Sequence, residues 1–240
     1  MNLNKNLLWL GPLVGGLIVG GLIGYAQNPV TRAIRVAEKL GASQKLEDKQ
    51  KALEMLSKQK DIIRLATINA RVENARRLIA LSLADRLIAQ KMWLEAKKYL
   101  DIAHDILPGS TGIAYREGLV YYNLAYTSSS LVQKDNYRKQ AEERLLYVIK
   151  QEPSNPDALY LLCLMALEQN NLEAAYQYIA QAYKVNPKNI DILFALARVY
   201  YEMGEYEQAK KVYGKLQSIL PKNDQRWDTV ERNLEILNKR

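Results

Sequence analysis

The chain is poor in the residues on which most site chemistry rests. Its 240 residues include one cysteine, Cys163, one histidine, His104, and one phenylalanine, Phe194. A lone internal cysteine excludes a disulfide within the chain, a lipid-modified N-terminal cysteine and a multi-cysteine zinc site, and a lone histidine excludes a histidine cluster. Most metal chemistry and most histidine acid–base chemistry go with them. Neither a phosphate-cradling glycine loop nor a Gly-x-Ser-x-Gly elbow occurs. Cys163 lies on the apolar side of a helical stretch and reads as a small buried hydrophobe. His104 reads as a residue late in a helix, and the acidic pairs Glu142-Glu143 and Glu205/Glu207 read as solvated helix faces. We therefore expect neither an enzyme, nor a cofactor, nor a metal site.

Glycine is scarce except in one place. Of 12 glycines, six stand at positions 11, 15, 16, 20, 21 and 24, inside a segment, Leu7 to Tyr25, that lacks any charge. At about 1.5 Å per helical residue these 19 residues reach the ~30 Å of a bilayer's hydrocarbon core. Trp9 and Tyr25 sit near the two ends as interfacial anchors would. Residues 1–27 are therefore expected to form an N-terminal single-pass transmembrane helix, in a bacterial inner membrane. The alternative is a secretory signal, because Lys5 precedes the segment and Gly24-Tyr25-Ala26 offers small residues for cleavage. The apolar run exceeds the usual length of a signal core, which favours a retained anchor. Gly11 and Gly15, Gly16 and Gly20, and Gly20 and Gly24 are each four apart, forming small-residue strips through which such a helix packs against another, its own copy or a partner's.

Residues 28–76 are expected to form a basic helical stalk. Asn28-Pro29 suits a helix start, Gly41 interrupts, and Ser43 opens a polar stretch with Leu46, Leu53, Leu56, Ile63 and Val72 at helical spacings. Positions 26–76 hold a net charge of +5 out of the chain's +8, so the basic excess is adjacent to the apolar segment. It suits anionic lipid head groups near residues 32–60. The positive-inside count favours a cytoplasmic body, while the short basic N-terminal tail favours the opposite orientation. Nucleic acid is not an expected partner, since no basic–aromatic recognition motif accompanies the charge.

Periodicity is the strongest signal. Pro153, Pro187 and Pro221 are 34 residues apart, and each ends a segment of one design, of which NPDALYLLCLMALEQNNLEAAYQYIAQAYKVNPK is the clearest. The segment ending at Pro187 carries Leu159, Leu162, Cys163 and Ala166, then Ala175, Ile179 and Ala182. The one ending at Pro221 carries Leu193, Leu196, Ala197 and Tyr200, then Ala209, Tyr213 and Leu216. This pattern resembles the tetratricopeptide repeat (TPR) family, in which W-x2-L-G-x2-Y, A-x3-F and a final proline mark a helix-turn-helix unit. Pro108 closes an earlier unit with Ala80, Leu83, Ala84 and Leu87, then Ala96, Leu100 and Ala103. The interval from Pro108 to Pro153 is 45 residues, 11 more than the period. Gly118 and Tyr121 fit its first helix and Ala141, Leu145 and Val148 its second, which puts an insertion near residues 125–136. Trp227, Val230 and Leu234 form a final amphipathic helix over residues 222–240, of the kind that covers the open end of a solenoid. The expected fold is all-α: a transmembrane helix, a stalk, four TPR-like units over residues 77–221 and a capping helix.

The resemblance implies a binding surface lined by the first helix of each pair. The matching positions are Leu81, Asp85 and Ile88; Tyr115, Leu119 and Tyr122; Tyr160, Leu164 and Leu167; and Phe194, Arg198 and Tyr201. The lysine and asparagine with which some TPR domains clamp a carboxylate are absent from them. An aromatic and aliphatic groove suits an apolar helix or an extended segment, with Arg198 and Asp191 to set its direction. The expected function is a membrane-anchored scaffold or assembly factor that positions partner proteins in a membrane complex such as a flagellar or secretion machine, able also to form homo-oligomers. The alternative is a secreted TPR chaperone or binding protein released by signal cleavage.

Overall fold

A computed structural model describes residues 29–60 and 66–239. The apolar segment 7–25, with Gly11, Gly15, Gly16, Gly20 and Gly24, lies outside them. Among the described residues no helix is long and apolar enough to cross a membrane. The described chain is all-α, with eleven helices, and divides between Leu107 and Pro108 into two compact units.

The first unit contains α1 (Pro29–Gly41), α2 (Leu46–Lys60), α3 (Ala66–Ala89) and α4 (Trp93–Ile106), each packed on the next. Residues 28–76 were expected as a stalk, but their apolar positions have partners: Ile34, Ala37, Ala52, Leu53, Leu56 and Val72 are buried. A boundary at 76/77 falls inside α3. Arg71 of α3 grips the Glu38 carboxylate of α1 with two bonds, 2.9 and 2.8 Å, and Lys49 donates to Ser82 at 2.5 Å. Charge that reads as a solvated face in sequence thus partly joins helix to helix.

The second unit contains α5 (Thr111–Thr127), α6 (Leu131–Gln151), α7 (Pro156–Glu168), α8 (Leu172–Val185), α9 (Ile190–Glu202), α10 (Tyr206–Ile219) and α11 (Trp227–Asn238). They pair as α5/α6, α7/α8 and α9/α10, with α11 laid on α10. Polar side chains start the helices. Ser110, Ser130, Asn155, Asn171 and Asn189 each accept a backbone N–H two or three residues on, which satisfies donors that the first turn leaves unpaired. Within the pairs, small residues meet large ones: Ala175, Ile179 and Ala182 of α8, and Ala209 and Leu216 of α10, are wholly buried, so close approach and gap filling go together.

The turn between paired helices repeats as faithfully as the helices do. Asn170 (φ 56°) and Gly204 (φ 80°), 34 positions apart, are both left-handed. The residue after each closes the helix: Asn171 donates to the Ala166 carbonyl and Glu205 to that of Tyr200, both at 2.8 Å, the bonding of a Schellman motif. In the first unit Lys91 (φ 58°) does the same job, with Met92 donating to Leu87 at 2.9 Å.

The 45-residue interval has a different turn but not a longer one. Only Ser128, Ser129 and Ser130 separate α5 from α6, while α5 has 17 residues against 13 in α7 and α9, and α6 has 21 against 14 in α8 and α10. The extra residues are all helical. Continuing the helices satisfies their backbone internally, whereas a loop of that length would need other partners. Arg144 of α6 reaches Glu117 of α5 at 3.1 Å, and Glu117 is the one buried charged residue among those described.

Candidate functional site

The aromatic row begins with helix periodicity. Tyr115, Leu119 and Tyr122 stand at i, i+4 and i+7 and so share one face of α5. The same offsets put Tyr160 and Leu164 on one face of α7, and Phe194, Arg198 and Tyr201 on one face of α9. The structure places all eight at the surface: seven are half-buried and Arg198 is exposed. The three helices are neighbours in chain order. Leu167, expected beside Tyr160 and Leu164, is instead buried in the core around Cys163. Leu81, Asp85 and Ile88 lie on α3 in the first unit.

Half-burial has a specific cause in the later helices. Tyr160 packs against the α7–α9 core, while Phe194 and Tyr201 pack against the core beneath α11. Phe194 meets Tyr213 edge-on with centroids 6.3 Å apart, and Tyr201 meets Tyr206 at 5.5 Å, geometries that favour the ring quadrupoles. Each of these rings is therefore partly packed on the core and partly exposed.

Three of the hydroxyls are held protonated. Burial raises the Tyr115 hydroxyl above its ordinary range, with the Asp157 carboxylate adding to it. Tyr160 is raised in the same way, first by burial and then by Asp191. Tyr122 is raised strongly, first by burial and then by Glu168, to whose Oε1 it donates at 3.0 Å. Arg138 reaches the other Glu168 oxygen at 3.3 Å, so Tyr122, Glu168 and Arg138 tie α5, α6 and the end of α7 together. Spacing alone points to none of these partners, since Glu168 is 46 residues from Tyr122 and 30 from Arg138.

Asp191 and Arg198, expected as paired direction-setters, differ in state. Asp191 is engaged by Arg226 at 3.2 Å, whereas among the described residues Arg198 has only a loose 3.9 Å ion pair, with Glu202. An exposed pair of that length contributes little, which leaves the guanidinium available. Beside it a recess of about 240 Å³ is lined by Arg198, Tyr201, Tyr213, Asn233 and Ile236. That is below the ~300 Å³ at which small-molecule pockets begin and suits one apolar side chain with a polar neighbour. Sequence reading missed Asn233 and Ile236 because α11 looked like a cap alone.

Cys163, at the centre of α7, has no exposure, and burial pushes its thiol up to about 12. It is packing rather than a nucleophile. Among the described residues no group of three His, Cys, Asp or Glu is arranged to hold a metal ion.

Comparison with known proteins bears on the fold. Residues 166–234 match the tetratricopeptide repeat family. Curated proteins provide no match. Among solved structures, a thermophilic TPR protein of Thermus thermophilus is similar at 17% identity and TM-score 0.58, over 86% of this chain and 99% of the other. MamA of Desulfovibrio magneticus is similar at 17% identity and TM-score 0.56, over 82% of this chain and 98% of the other. A tetratricopeptide repeat protein of Parabacteroides merdae is similar at 17% identity and TM-score 0.58, over 88% and 72%. Likeness at this identity concerns the backbone, and what the chain has in common with these proteins is an all-α, TPR-like fold.

Proposed function

We propose that this chain is a non-enzymatic scaffold that holds a segment of another protein along the aromatic face of α5, α7 and α9, as an assembly factor or subunit of a membrane-associated complex. The observation that carries the reading is the row itself: Tyr115, Tyr122, Tyr160, Phe194 and Tyr201, each half-buried. Rigid aromatics lose little conformational freedom on binding and are the residue types that dominate interface energies. A second copy of the chain is one such partner.

An apolar helix or extended segment fits the row, one of its side chains entering the recess beside Arg198. Membrane attachment belongs to the same proposal and rests on the uncharged 19 residues from Leu7 to Tyr25 and the glycine strips within them, with the basic residues of 32–60 facing anionic head groups.

The test is purification of the tagged chain from native membranes with its partners, followed by the double substitution Tyr115→Ala/Tyr160→Ala. Partner affinity should fall by about tenfold or more, as for loss of two aromatic anchors, while the thermal midpoint falls only moderately, both rings being half-buried, and the protein stays folded at the assay temperature. If affinity is unchanged while the midpoint collapses, the aromatics are core and the groove is not a binding surface. Recovery of a mature chain beginning at Gln27 would remove the anchor and leave the secreted reading.

A further inference from the structure

A second concavity lies on the opposite side of α9. Leu196 and Tyr200 are roughly half a turn around the helix from Phe194, Arg198 and Tyr201 at about 100° per residue. With α8 and α10 they enclose a cleft of about 520 Å³, within the range of occupied binding sites. Its floor is apolar, made by Leu196, Val212 and Ala180. Its rim carries Lys184, Lys211 and Lys215 and not one carboxylate.

Those lysines are set in different ways. Lys215 is held in place, its Nζ 4.8 Å above the Tyr183 ring and donating to that hydroxyl at 2.9 Å. A hydroxyl does not neutralise an ammonium, so the charge stands. Lys211 is one turn before Lys215 on α10, and Lys184 ends α8 from across the cleft. Neither has an ion pair among the described residues. Tyr176 and Tyr200 close the inner wall, rings 5.7 Å apart, and both pack on the α7–α9 core. Glu205, whose charge reaches Tyr200 from the start of α10, does not line the cleft.

We infer that this cleft is a second docking site, and that its occupant is an acidic peptide segment of another protein with an apolar side chain between its carboxylates. Three like charges around one concavity repel one another, and an anionic occupant relieves that repulsion while the floor receives the apolar group. A small inorganic anion would leave the floor unused. Nucleic acid is disfavoured because the charge is confined to three lysines around one concavity, whereas strand binding follows a basic groove past several phosphates.

The experiment is fluorescence anisotropy of the purified chain with a labelled peptide of alternating glutamate and leucine. Saturable binding is expected, weakened by added salt and about tenfold weaker in Lys211→Glu/Lys215→Glu. It should be unaffected by Lys188→Glu/Lys222→Glu in the loops or by the groove substitutions Tyr115→Ala/Tyr160→Ala. Because Lys215 also supports Tyr183, Lys184→Glu/Lys211→Glu is the parallel variant, with circular dichroism confirming helix content in both. The proposal is overturned by absence of binding, by equal loss in the loop variant, by displacement of the peptide by inorganic phosphate at the same concentration, or by a single-stranded oligonucleotide that binds as well as the peptide does.

Discussion

Gly118 of α5 faces Leu145 of α6 so closely that a Cβ on the glycine would lie 2.8 Å from both Cγ and Cδ2 of the leucine. Leu145 is itself fully buried, and the Ala141 carbonyl lies only 3.6 Å from the same point. The helices of the long pair meet here.

Gly118→Ala is expected to cost about 1–3 kcal/mol, the usual penalty of overpacking, although alanine is the better helix former. Leu145→Ala alone should cost about 2–5 kcal/mol. The double variant should cost less than the two together, because the second change makes room for the first. Denaturant titration of the four proteins measures the coupling, and strict additivity would contradict the contact.

The left-handed turn residues allow a test in opposite directions. Gly204→Ala places a Cβ at φ 80° and should lose about 1 kcal/mol. Lys91→Gly, relieving a lysine at φ 58°, should gain about 0.5 kcal/mol, the relief exceeding the entropy that glycine loses. Thermal midpoints moving the same way in both variants would disprove the equivalence of the turns.

Cys163 should not react with a thiol reagent in the native protein near pH 8 and should react fully after unfolding. Its thiol titrates near 9.0 when unperturbed and about 12 when folded. The folded state therefore keeps the proton that the unfolded state loses, and the stability linked to it is present below about pH 9 and lost as pH rises towards 12. Cys163→Ala should flatten that part of the alkaline stability profile. A native thiol labelled at the rate of a free one would refute the burial.

Glu168→Gln leaves the Tyr122 hydroxyl an acceptor oxygen but takes away its charge. Burial, the larger cause, remains, while the Glu168 charge is removed and the hydrogen bond becomes a weaker, neutral one. One tyrosine should then ionise at lower pH in an ultraviolet titration. Stability at neutral pH should change by less than about 1 kcal/mol, since the carboxylate is partly exposed to solvent. An unchanged titration would mean that Glu168 does not act on Tyr122.

Much of the second unit was legible because its information is local. Of the signature positions ending at Pro187, Leu159, Leu162, Cys163, Ala166, Ala175, Ile179 and Ala182 are all buried. A helix fixes which residues share a face, and a 34-residue unit repeats that face. The first unit was less legible. Mixed spacing of Leu46, Leu53, Leu56 and Val72 suits a long helix as well as a short packed one, and the pairing of Arg71 with Glu38 spans 33 residues, beyond any local pattern.

The sequence by itself determined the amphipathic helix pairs from which the second unit is built, most of the core positions of its repeats and the aromatic row that three first helices carry, because each follows from periodicity and backbone preference. Only the tertiary structure decided that the eleven extra residues lengthen α5 and α6, that Leu167 is core while Arg198 borders a recess completed by α11, that Asp191 is taken by Arg226, and that three lysines of α8 and α10 surround one cleft. Those outcomes depend on which helix lies beside which, and contacts made across tens of residues leave no trace in spacing.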